Sequence, residues 1–161
     1  MYRSHTDELT GCFNRHAYEE DIVQLRMDEA FVYISLDMNG LKTVNDSLGH
    51  AAGDELIRGV ASCMKQCFAE VGKVYRIGGD EFVIIVLDQM QNIENIRETF
   101  DKTVRRWQGK MVKEMSVSCG YVSSDEKEWD TNYDIAKAAD ARMYENKAAY
   151  YQKSGRDRRK R

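Results

Sequence analysis

Two apolar runs joined by four residues constrain this chain more than any other feature. Lys73 to Ile77 and Phe82 to Leu87 both read as strands, and only Gly78-Gly79-Asp80-Glu81 lies between them. A parallel crossover needs about a dozen residues or more, so these strands are predicted to close as an antiparallel hairpin. Ala30 to Leu36 is a third run, nearly continuous in apolar residues as in a buried central strand, and it leads straight into Asp37.

Helical periodicity fills the intervals. Tyr18, Ile22 and Leu25 share a face over 15–27. Leu56, Val60, Met64 and Cys67 form a stripe over 51–69. Ile93, Ile96, Phe100, Val104 and Trp107 mark another helix, and a last one is predicted over 132–151. Met115, Val117, Cys119 and Tyr121 alternate with small or polar residues, as in a half-exposed strand. The resulting order contains β-α-β-β-α-β. That order predicts an α+β fold of ferredoxin-like, palm type: a mostly antiparallel sheet flanked by helices, with the crossover helices on one face.

Length and charge narrow the function. The chain has 161 residues, which suits one domain. With 24 basic and 27 acidic residues the net charge is −3, which argues against a nucleic-acid-binding face. Proline is absent, and no linker or internal repeat is visible. No apolar run approaches the roughly 18 residues of a membrane span. No secretion leader follows Met1. Cys12, Cys63, Cys67 and Cys119 form no C-x-x-C pair, and their expected state is free thiols in the cytoplasm. The basic stretch from Gly155 to Arg161 reads as a solvated tail.

Chemistry concentrates at two places that the strand map brings close. Asp37 ends the first strand, and Asp80 and Glu81 sit at the hairpin tip. Clustered carboxylates repel unless a cation lies between them, and Mg²⁺ prefers carboxylates together with substrate phosphates. Gly78 and Gly79 let a phosphate or ribose approach the backbone. The polar stretch from Asn39 to Asp54 follows Asp37. Asp54 can accept from the guanine N1–H and amine, and Asn45 can donate to O6. Asn45 and Asp46 also read as helix caps and Gly53 as a turn residue, and the residues alone leave these readings even.

The ordered set is more specific than its parts. Asp7-x-Leu9-Thr10-Gly11, Asn14-Arg15, the Asp37 stretch, Asn45-Asp46-x-x-Gly49-His50-x-x-Gly53-Asp54, Arg76-x-Gly78-Gly79-Asp80-Glu81-Phe82, Ser118-x-Gly120, Ala139-Asp140 and Lys147 occur in sequence. Together they resemble a GGDEF domain, the diguanylate cyclase family, over nearly the whole chain. The resemblance implies a palm-like fold that condenses two GTP into cyclic di-GMP with release of pyrophosphate, using Mg²⁺ with Mn²⁺ as the alternative ion. It implies metal binding by Asp37, the Met38 carbonyl, Asp80 and Glu81, with Asp80 also at the ribose 3'-hydroxyl. It places Asn45, His50 and Asp54 at the guanine end, and Lys42 and Lys147 at the β- and γ-phosphates. A second copy of the domain is implied for turnover, and a fused sensor or dimerising segment in a longer signalling protein.

Departures from the family pattern carry their own expectations. Asn39 stands where a second aspartate is common, and Gly40 offers no aromatic wall to the base. Ala69 and Gly72 occupy the places of an inhibitory Arg-x-x-Asp product site, so no product inhibition through that site is expected. Tyr151 replaces an arginine on the last helix, with Arg156 one turn further on as its substitute. The alternative function is a GTP-binding module that regulates a partner without turnover.

Overall fold

The computed structural model describes residues 4–26, 28–87 and 92–153. Its elements run α1 (Arg15–Gln24), β1 (Phe31–Met38), α2 (Leu41–Leu48), α3 (His50–Phe68), β2 (Gly72–Arg76), β3 (Glu81–Leu87), α4 (Ile93–Arg106), β4 (Val117–Ser123) and α5 (Asn132–Lys153). The four strands form one sheet in the order β2-β3-β1-β4, with every pairing antiparallel. The hairpin β2–β3 and the palm-type βαββαβ core are as expected.

Helices cover both faces of the sheet, and the crossover helices α3 and α4 share one of them. Val32, Ile34, Leu36 and Met38 of β1 pack with Leu56, Val60, Met64 and Phe68 of α3 and with Phe100 of α4. Phe31 and Tyr33 of β1 pack on the other side with Ile22 of α1 and with Ile135 and Ala139 of α5. Two covered faces explain why all eight residues of β1 are buried.

Three local corrections bear on the site. The polar stretch after Asp37 contains a helix of its own, Leu41–Leu48, that the periodicity did not predict. It starts from Gly40 at φ 76° with no side-chain cap and is separated from α3 by Gly49 at φ 92°. Both values favour glycine. Asn45 and Asp46 therefore lie inside α2 and do not cap α3. In β4 the fully buried positions are Ser118, Gly120 and Val122, the residues between the apolar ones. They face α5, whose backbone sits so close that a Cβ on Gly120 would collide with the Ala139 carbonyl and the Met143 nitrogen. Finally, α1 ends at Gln24, short of the expected boundary, and Met27 is outside the described residues.

Helix α5 carries a buried stripe at a spacing of four: Ile135, Ala139, Met143, Lys147 and Tyr151. Such a row drifts slowly round a helix, so it stays against a twisted sheet over its length. Its fourth member is a lysine, which the packing of its neighbours carries under the end of β1.

Candidate active site

Asp37 lies directly opposite Glu81 across the β1–β3 pairing, and the Met38 N–H donates to the Asp80 carbonyl at 2.9 Å. The strand end and the hairpin tip thus form one acidic centre. Asp37 is only 3% exposed. Its Oδ2 accepts from Lys147 Nζ at 3.0 Å, while Oδ1 is buried with no hydrogen-bond partner among the described residues. Burial pushes this carboxyl up to about 6, and the charges of Asp80 and Glu81 add to the rise while Lys147 opposes it.

A buried acceptor without a partner costs about 1–3 kcal/mol. A cation at Asp37 Oδ1 removes that cost. The carboxylates of Asp37, Asp80 and Glu81 and the Met38 carbonyl offer oxygen only, the chemistry of a hard ion such as Mg²⁺. The three carboxylates do not, however, come within 4.8 Å of one another, and Lys147 holds Asp37 Oδ2 and the Met38 carbonyl.

Lys147 is not an open phosphate-facing lysine. Its side chain is 4% exposed, and Nζ donates to Asp37 Oδ2 and to the Met38 carbonyl, each at 3.0 Å. The reason is electrostatic, because a carboxylate in a low-dielectric interior needs a counter-charge within contact distance. Lys147 still lines a cavity of about 200 Å³ together with Met38, Gly40, Lys42, Asp80 and Tyr151. Of the three acids only Asp80 lines this cavity, together with Lys42 and Lys147, while Glu81 lines a separate one with Tyr33, Ser35 and Asp140.

Gly40 supplies the start of α2 rather than a wall of the pocket. Its N–H donates to Tyr151 Oη at 3.4 Å, and the Tyr151 ring lies 5.9 Å from Lys147 Nζ. Tyr151 therefore closes the cavity on the side where the family often places an arginine. Arg156 lies outside the described residues. Asn39 turns away from the cavity: Nδ2 donates to Ser116 Oγ at 2.9 Å, and Oδ1 accepts from Ser118 Oγ at 3.0 Å.

Asn45, His50 and Asp54 are not part of the cavity lining. They sit on α2 and the first turns of α3, which pack on each other. Asn45 lies over Gly53, where a Cβ would collide with its Oδ1, one residue before Asp54 in the chain. The glycines of the turn differ from Gly53. A Cβ on Gly79 would have no neighbour within 4 Å, and one on Gly78 would meet only Glu81, at 3.6 Å or more. Neither residue has a positive φ. The fold itself does not require glycine at either place.

Arg76 had no assigned role, and it braces this turn. Its Nε donates to the Gly78 carbonyl at 3.2 Å and Nη2 to the Gly79 carbonyl at 3.0 Å, while Nη1 pairs with the Asp7 carboxylate. Burial raises the Asp7 pKa, but hydrogen bonds from Thr10 and Arg76 outweigh it and hold the carboxyl below its ordinary value. The signal was in the sequence as the arginine two residues before the glycine pair.

The structure thus defines a palm-type α+β domain with an acidic centre at the end of its first strand and the tip of its hairpin. A family model described as "Diguanylate cyclase, GGDEF domain" matches residues 4–153, and the chain belongs to the GGDEF domain family. It is 34% identical over 148 residues to the probable diguanylate cyclase DgcJ of Escherichia coli (strain K12), covering 88% of this chain and 29% of that protein. It is 32% identical over 149 residues to the diguanylate cyclase VdcA of Vibrio cholerae, covering 88% of this chain and 43% of that one. Among solved structures, the diguanylate cyclase SiaD of Pseudomonas aeruginosa, in complex with its activator SiaC, superposes with a TM-score of 0.79 at 26% identity. That match covers 91% of this chain and 59% of SiaD. The chain spans less than half the length of these two curated relatives. No helix among the described residues is long and apolar enough to cross a membrane.

Proposed function

We propose that this chain is the catalytic domain of a diguanylate cyclase, condensing two GTP into cyclic di-GMP with release of two pyrophosphates. The observation that carries this is the buried, unpartnered Oδ1 of Asp37 beside Asp80 and Glu81. A fold keeps such a centre at a cost in stability, and a metal-dependent reaction gives a reason to keep it.

Asp37, Asp80, Glu81 and the Met38 carbonyl would hold Mg²⁺, or Mn²⁺ in its place. When bound, the ion neutralises phosphate charge and lowers the pKa of a nearby hydroxyl. Lys42 and Lys147 hold the β- and γ-phosphates, Lys147 exchanging Asp37 for phosphate oxygens as the acidic centre fills. Asn45 and Asp54 read guanine, and His50 contacts substrate beside them. Gly78 and Gly79 leave room for the ribose and α-phosphate against the backbone. Asp80 orients the 3'-hydroxyl. The 3'-oxygen of one GTP attacks the α-phosphorus of the other, the bond from that phosphorus to the leaving pyrophosphate breaks, and the hydroxyl proton is lost to solvent.

One domain holds one GTP, so each bond needs two domains face to face. The working unit is a dimer, within a longer cytoplasmic signalling protein whose other segments supply the input. This chain contributes the one catalytic domain.

The test is incubation with GTP and Mg²⁺ at high protein concentration, followed by product analysis. Cyclic di-GMP is expected, and Asp80→Ala should abolish it without changing the melting temperature by more than a few degrees. Tyr151 favours a different function, a GTP-binding module without turnover, because it lines the cavity beside Lys42 and Lys147, the residues proposed to hold phosphate. Clear GTP binding with no product under these conditions decides for that function.

A further inference from the structure

On the far side of α1 from the sheet core, two histidines and a glutamate converge. We propose that His5, His16 and Glu20 form a binding site for a divalent ion of the zinc class, separate from the centre at Asp37. Glu20 Oε1 lies 2.8 Å from His5 Nε2, and Glu20 Oε2 lies 3.1 Å from His16 Nε2. The two imidazole rings are 5.0 Å apart, and one ligand atom from each of the three residues falls within 4.8 Å of the others.

The backbone builds this cluster in advance. His16 and Glu20 are four apart on α1 and share a face. His5 comes from the preceding segment and is fixed at the helix start by Asn14. The Asn14 side chain caps α1 by accepting from the Ala17 N–H at 3.0 Å. Its backbone N–H donates to the His5 carbonyl at 2.9 Å, and Nδ2 donates to the Ser4 carbonyl at 3.0 Å. The residue that starts the helix therefore also holds His5 against the first turn.

The donor chemistry selects the ion. Two imidazole nitrogens and one carboxylate oxygen are a set used for zinc with an open fourth position. Imidazole suits Zn²⁺, Cu²⁺ and Ni²⁺, while Mg²⁺ and Ca²⁺ take oxygen ligands. The side chains of His5, His16 and Glu20 are 42%, 27% and 48% exposed, which leaves an entry path and room for a water ligand. With the rings neutral and no ion bound, each Nε2–H donates to Glu20. On binding, each ring carries its proton on Nδ1 and gives the Nε2 lone pair to the ion. The ordinary alternative is a surface hydrogen-bonded trio with no ligand, which contributes little to stability.

The test uses the whole chain, stripped with a chelator and titrated with Zn²⁺ against a chromophoric competitor. One tight equivalent is expected, unaffected by excess Mg²⁺ and by Asp80→Ala. His5→Ala, His16→Ala and Glu20→Gln should each weaken it by about tenfold to a hundredfold or more, taking loss of a supporting partner as the lower bound. The metal-free variants should keep the wild-type melting temperature, which separates lost ligation from lost folding. Co²⁺ in place of Zn²⁺ should show no thiolate-to-metal charge-transfer absorption. Failure to bind Zn²⁺, binding unchanged in all three variants, or a thiolate signature from the cysteines overturns the proposal.

Discussion

Asp37 and Lys147 are the residues on which the structure is most exposed to test. Removing one partner of a buried ion pair typically costs about 3–5 kcal/mol, because the other charge is left in a poor solvent. Lys147→Met is expected to lose about that much in a denaturant titration, and Asp37→Asn/Lys147→Met to regain most of it. Asp37 also has a pH signature. Its carboxyl stands near 6 against an ordinary 3.8, so the folded state binds the extra proton. The sign follows from that: its contribution to stability is present below about pH 4 and is lost as pH rises through 6. The wild type should fall relative to Asp37→Asn across this window, by at most about 3 kcal/mol, in melts taken at stepped pH. A rise over the same window would show that Lys147 outweighs burial. At Gly72 a different constraint acts. A Cβ there would strike the Ile85 carbonyl of the neighbouring strand. Ala69→Arg/Gly72→Asp is therefore expected to destabilise the domain without installing product inhibition, as initial rates with added cyclic di-GMP would show.

At the level of elements, the strands and most helices were legible because burial writes itself as apolar runs and stripes. The run before Asp37 and the two around the glycine turn were read correctly, and their pairing placed Asp37 near Asp80. Helix α2 was missed because its start has no capping side chain and no buried residue, only a left-handed Gly40. The inner face of β4 was missed because close approach of α5 demands small residues there, so Ser118 and Gly120 look polar or neutral while being buried. Lys147 was recognised by its motif but not by its surroundings. The stripe Ile135, Ala139, Met143 could have signalled its burial. The turn gives an expectation of its own. Since nothing packs where a Gly79 side chain would go, Gly79→Ala should leave the melting temperature within a few degrees of wild type. Product formation should nonetheless fall steeply, because the added methyl occupies substrate space. A stable and fully active Gly79→Ala protein would remove the turn from the substrate site.

For the whole molecule, the expectation is concentration dependence. If each bond needs two facing copies, turnover per mole should rise with protein concentration and level off as dimers saturate. Appending a parallel dimerising coiled coil should move that plateau to lower concentration. Rates strictly proportional to protein at all dilutions would contradict the dimer requirement. Four glycines of the sheet and its turn divide into two kinds with different histories ahead of them. Gly72 and Gly120 are pressed by neighbouring backbone, so any lineage that keeps the fold must keep them. Gly78 would meet only Glu81 and Gly79 nothing, so on the proposed function it is the reaction and not the packing that needs them. A descendant that stopped making product would lose the second pair first, by drift, while remaining well folded.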